Sequence, residues 1–155
     1  LEHLIMPGIT QVTKTGPKTF TPADNATIVG GQLVEAVAGG RIQKAGAGSL
    51  AVLGVALGDA IAPEDLVTGA TTDGAGRPVV SSAVLPTNVA VAYGGVEVPV
   101  TYAANATFGA KLIAAANGTV TPAGAAPDAR TIVGVCTEPA GVTVATNAVG
   151  LMRTV

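Results

Sequence analysis

The stretch NATIVGGQLVEA, residues 25–36, returns further along the chain as NATFGAKLIAA, residues 105–115. A pattern stated twice constrains the fold strongly, because the same local code builds the same unit each time and neighbouring units bury each other's open faces. Asn25, Ala26 and Thr27 match Asn105, Ala106 and Thr107 at a spacing of 80 residues. Gly30 then matches Gly109, and Leu33 matches Leu112, at 79; VLGV at 52–55 matches IVGV at 132–135 at 80 again. Three blocks in the same order, within one residue of a common spacing, mark an internal duplication with copies at about 19–60 and 98–140.

Each copy reads as short strands joined by tight turns. Gly39-Gly40 and Asn117-Gly118 are residues that tolerate positive φ, as hairpin turns require. KLIAAANG alone has the alanine content of a helix, but its partner QLVEAVAGG carries β-branched residues and ends in a glycine pair, so both are assigned to strands. Alternation along Gln32 to Val37 is imperfect. Between the copies, TTDGAGRPVV at 71–80 is another turn, with strands expected around Val79 to Val84 and Val89 to Tyr93. Only APEDLVTGA at 62–70 suits a helical turn or two, with Pro63 at its start and Glu64 and Asp65 at the favourable end of the dipole. The expectation is an all-β chain: a small β-barrel or sandwich built from two internal pseudo-repeats, with little helix. A single β-rich domain is expected over 19–155, preceded by an extended arm at 1–18.

Composition narrows the function. The chain of 155 residues is 48% hydrophobic but only 12% charged and 3% aromatic, with 21 glycines. Mean hydropathy is +0.54, yet no apolar run approaches the roughly 18 residues of a membrane span. The net charge is −2 and the eight Lys and Arg are scattered, so no basic stripe exists for phosphates and no nucleic-acid partner is expected. LEHLIMPGIT is too short and too broken to be a secretory signal. The chain therefore reads as made in the cytosol, although it begins at Leu1 with no initiator methionine.

The residues for catalysis do not assemble on paper. His3 is the one histidine and lies at a terminus, a poor place to hold a base. Cys136, alone among apolar neighbours, reads as a small buried hydrophobe. No C-x-x-C or H-x-x-x-H spacing offers a metal site, and GGRIQKAGAGS at 39–49 lacks the Lys-Ser/Thr ending of a phosphate loop. Asp59, Glu64 and Asp65 read as a solvated acidic turn, and the sequons at Asn25, Asn105 and Asn117 as turn and strand-edge residues. Lys44 and Lys111 lack the methionine neighbour of a biotinyl lysine. The expectation is a non-enzyme without cofactor. So few charges require apolar atoms at the surface, and large exposed apolar patches mark interfaces.

With ATIVGGQLVE, a glycine turn, a strand and VLGVALGDA in that order, the chain resembles the capsid decoration, or cement, proteins of tailed bacteriophages. The match covers about 19–60 well and 98–140 more weakly, where FGAKLIAA replaces VGGQLVEA. The resemblance implies a structural virion protein that binds the outer surface of a phage capsid and stabilises the expanded shell. It implies the major capsid protein as partner and a homo-oligomer, a trimer at threefold positions, made in the host cytoplasm. The alternative is another virion structural protein, such as a tail-tube or head-fibre module. The arm at 1–18 alternates in a strand-like way and has no partner within the repeats, so Ile5, Ile9, Val12, Lys14 and Lys18 are the expected capsid contacts.

Overall fold

The computed structural model describes residues 16–66, 71–79 and 85–155. The chain is nearly all β. The strands of its first half are β1 (Lys18–Pro22), β2 (Thr27–Ile28), β3 (Leu33–Val37), β4 (Arg41–Lys44), β5 (Val52–Ala56), β6 (Ala60–Ile61), β7 (Thr71–Thr72), β8 (Pro78–Val79) and β9 (Val89–Ala92). The second half carries β10 (Glu97–Thr101), β11 (Lys111–Ala114), β12 (Val120–Pro122), β13 (Ile132–Cys136) and β14 (Val149–Thr154). The helical turn expected after Ala62 is a three-residue 3-10 turn, Pro63–Asp65. KLIA is strand β11.

Strands β1, β4, β3, β5 and β9 close a barrel, and β10, β14, β13, β11 and β12 form a five-stranded sheet. Going round from β1, the first order is β1-β9-β5-β3-β4. From β10, the second is β10-β14-β13-β11-β12, the same circuit in the same sense. The first barrel closes through a parallel β1–β4 ladder. The second brings its edges together through one parallel bridge, Tyr102 to Val120, with the Ala103 N–H donating to the Val120 carbonyl as the Ala23 N–H does to that of Ile42.

Local irregularities repeat as well. The β3–β5 ladder slips between Val34 and Glu35, and the β11–β13 ladder between Leu112 and Ile113. Gly39 and Gly40 take positive φ in the β3–β4 turn, as do Asn117 and Gly118 in the β11–β12 turn. These landmarks correct the sequence alignment locally. Leu112 corresponds to Val34, not Leu33, and Gly109 to the positive-φ Gly31, not Gly30. The second copy is two residues shorter ahead of this hairpin, so the spacing there is 78. Elsewhere it returns to 80, as in the paired bonds Ala62 N–H to Ala26 O and Val142 N–H to Ala106 O.

One glycine in each barrel explains the conserved spacing of VLGV and IVGV within the chain. A methyl group on Gly54 would overlap the Ala92 carbonyl oxygen, and one on Gly134 would lie 2.5 Å from that of Arg153. Each sits where β5 or β13 passes over the closing strand, and only glycine lets the backbones approach so closely. The closing strands β9 and β14 lie beyond the matched sequence blocks. Their ladders place Val91 opposite Ala56 and Met152 opposite Cys136, a spacing of 61. The first barrel therefore holds 19 more residues between its β6 and β9 than the second does in the corresponding stretch, and the small β7–β8 ribbon lies there.

The core has two parts. Ile28, Val34, Ile42, Ala56, Ala60, Val89 and Val91 fill the first barrel. The second cluster contains the interior of the second barrel, including Val98, Val100, Tyr102, Leu112, Cys136 and Met152, together with Leu33, Ala45, Val55 and Ala92 of the first. Consecutive residues of β3 thus point into different cores. Strands buried on both faces lose clean alternation, which accounts for the irregular pattern along Gln32 to Val37.

Candidate interaction surfaces

The residues singled out for chemistry are dispersed by the fold. Cys136 is buried in the second barrel. Asp59 accepts the Gly30 N–H at 2.8 Å, while Glu64 grips Arg41 at 2.6 Å and is held below the usual carboxylate range by that guanidinium. Asp65 is exposed. Among the described residues, no three His, Cys, Asp or Glu side chains converge on a common point, and no helix is long and apolar enough to cross a membrane. His3 lies outside the described residues.

The sequon asparagines serve the turns. Asn25 and Asn117 occupy the left-handed region at φ 60 and 59, and the Asn105 carboxamide oxygen accepts the Val144 N–H at 2.8 Å. GGRIQKAGAGS becomes the β3–β4 turn, strand β4 and the connection to β5; the Gly46 N–H donates to the Glu35 carboxylate. Hydrogen bonds from Ser49 first, then Gln43, hold the Glu35 carboxyl below its ordinary range. Burial, with Cys136 beside it, pushes the Tyr102 hydroxyl well above the usual phenol range. That hydroxyl donates to the Leu151 carbonyl at 2.9 Å.

Of the expected capsid contacts, Ile5, Ile9, Val12 and Lys14 lie outside the described residues. Lys18 opens strand β1, paired with Val91 of β9, and its ammonium stands 5.3 Å over the Phe20 ring. The end assigned to the arm is thus already part of the barrel wall.

The surface carries apolar side chains that the sequence reading did not single out. Leu50, Leu53, Tyr93 and Val155 are exposed around a cleft of about 80 Å³ at the junction of the two barrels. Val29, Leu57 and Val149 are exposed beside a second junctional groove, lined by Gly30, Gly31 and Pro99. Phe108, 64% exposed, projects from the second barrel beside Pro139 and Ala140. Strand parity held the signal for one of these. With Gly54 turned inward, Leu53 must face outward.

The junction itself is built from unlike parts. The β11–β12 turn of the second barrel seats against the outer wall of the first, where Leu33, Val55 and Ala92 lie side by side on β3, β5 and β9. The Gly118 N–H donates to the Ala45 carbonyl and the Gly48 N–H to that of Ala114, while the Gln32 carboxamide donates to the Asn117 carbonyl. A methyl on Gly118 would lie 2.7 Å from the Leu33 carbonyl oxygen. The equivalent turn of the first barrel, Gly39-Gly40, is exposed.

No known family matches the chain in sequence, and no curated protein does. In fold it is similar to a solved structure, the head fibre gp8.5 N base of bacteriophage phi29, at 15% identity and a TM-score of 0.55. The likeness covers 90% of this chain and 94% of that one. At that identity the likeness is one of fold, and it takes in both barrels.

Proposed function

We propose that this chain is a structural protein of a phage virion, seated on the outside of the head, where it braces the expanded shell. The observation that carries this reading is the likeness of fold, over nearly the whole chain, to the base of a phage head fibre. It agrees with the resemblance of the repeated blocks to capsid decoration proteins. The exposed apolar residues at the barrel junction suit adhesion, and a protein that binds one state of a shell stabilises that state by linkage. Catalysis and cofactors have no part in this reading.

The partners are the major capsid protein and further copies of the chain, as a trimer. The segment ahead of β1, assigned as the arm at 1–18, adds an extended strand to the capsid protein, with Ile5, Ile9, Val12 and Lys14 as contacts; Lys18, paired with Val91 in the barrel, offers only its side chain. The test is to add the purified chain to expanded heads that lack it, follow cosedimentation, and then challenge the heads with heat. Decoration predicts saturable binding and a higher disruption temperature. Failure to bind heads contradicts the proposal.

A second reading, favoured directly by the fold likeness, makes the chain the base of a head fibre. The same experiment separates the two. A fibre base binds heads without raising their heat resistance, and its removal affects attachment of a distal fibre.

A further inference from the structure

The two barrels are joined by a contact that is not self-complementary: the turn of one meets the wall of the other. Contacts of that kind leave an unused turn at one end and an unused wall at the other, and they propagate into rings or filaments unless something stops them. Here the unused turn is Gly39-Gly40 of the first barrel. The unused wall is identified by the ladders. Leu33, Val55 and Ala92 are neighbours across β3, β5 and β9; their equivalents across β11, β13 and β14 are Lys111, Val135 and Arg153. An apolar stripe buried in the junction is therefore replaced, at the same positions, by a stripe with two cations, and Lys111 and Arg153 are both exposed.

One backbone feature of the socket is retained, while Ala110 stands where Gln32 donates to the docked turn. The Ala45 N–H bonds to the Leu33 carbonyl, and the Ala123 N–H bonds to that of Lys111 in the same way. The turn that would enter carries Arg41, where the docked turn carries Thr119. Arg41 is bound to Glu64, and Glu97 lies opposite Arg153 on β10; these are the acidic groups facing the would-be contact from the elements named.

We propose that Lys111 and Arg153 cap the outer wall of the second barrel, so that the turn-to-wall contact that joins the two halves is not repeated with a second copy of the chain. Burying the Lys111 ammonium against a turn that carries no carboxylate is costly, and Arg153, although Glu97 lies opposite it, brings a second charged group that the contact would have to strip of water. The inference rests on the junction within the chain and not on the virion assignment.

The test replaces the cap with the residues of the first wall, Lys111→Leu with Arg153→Ala, and compares masses by sedimentation velocity over a hundredfold range of concentration. The double variant should show a weight-average mass that keeps climbing with concentration, at least twice that of the unmodified chain at the top of the range. Adding Gly40→Ala should return the mass to that of the unmodified chain, because a methyl there would meet the Lys111 carbonyl as one on Gly118 would meet that of Leu33. A double variant with unchanged mass overturns the proposal. So does growth that persists with Gly40→Ala, which would indicate general stickiness. If the double variant does not fold by circular dichroism, Lys111→Leu alone is read against the same two outcomes.

Discussion

The two barrels share a circuit of strands but close it differently, and the difference shows what each is relied on to do. The first closes with a two-pair parallel ladder. Arg41 reinforces it, donating to the Pro22 carbonyl at 2.6 Å and pairing with Glu64. The second closes through one bridge, with Thr119 where the first has Arg41, and Tyr102 buried beside the seam. The outer walls differ as well: apolar and covered on the first, charged and exposed on the second. The seams and outer faces have diverged, while the glycines under the closing strands, the slipped ladders and the turn geometry have not. Divergence is tolerated where a side chain meets solvent or a partner, and not where two backbones touch.

The largest test of that contrast is to place a methyl group at the shared crossing. Gly54→Ala should destabilise the chain by roughly 3 kcal/mol, the upper range for overpacking a core, because a carbonyl and not a side chain must move. Gly134→Ala should cost somewhat less, since part of what it meets is the flexible Met152 side chain. Urea unfolding of both variants reads the two values. A negligible loss for either would mean that the crossings are not equivalent.

A smaller effect is expected at the second seam. Tyr102→Phe removes the donor to the Leu151 carbonyl and should cost about 1 kcal/mol, the usual net worth of such a bond. Hydrogen exchange should quicken in β10 and β12 before β1 and β4. Equal quickening in both barrels would contradict separate seams.

Much of the fold was legible because its signals are local. Positive-φ turns draw glycine and asparagine, so Gly39-Gly40 and Asn117-Gly118 stood out, and the crossing glycines preserved VLGV and IVGV at 80. What could not be read was register. Leu33 and Leu112 match as letters, yet one points out of its barrel and the other in. The closing strands β9 and β14 were missed as partners because 19 additional residues in the first copy break the spacing. The surfaces were harder still, since whether Leu33 is covered depends on where the other barrel sits. The N-terminal contacts Ile5, Ile9, Val12 and Lys14 lie outside the described residues, and only Lys18 can be placed.

The smallest expected difference is in acid. Glu35, Glu64 and Asp73 in the first half, and Asp128 in the second, are held below their ordinary range by hydrogen bonds or a neighbouring arginine. A carboxyl with a lowered folded pKa adds stability that is complete above its unfolded value, about pH 4, and is lost as pH falls through the folded one. Melting temperature should therefore be flat from neutral to mildly acidic pH and decline below about pH 4. Since three of the four groups lie in the first half, exchange there should respond first. A decline beginning near neutrality would point to some other titrating group.

The role proposed for this duplicated barrel chain is that of an external structural part of a phage head. A cryo-electron microscopy reconstruction of the complete virion tests it most directly. Paired five-stranded barrels are expected on the outer face of the head shell, in contact with the major capsid protein. Paired barrels found in the tail or inside the shell, or a fully interpreted particle without them, would contradict it.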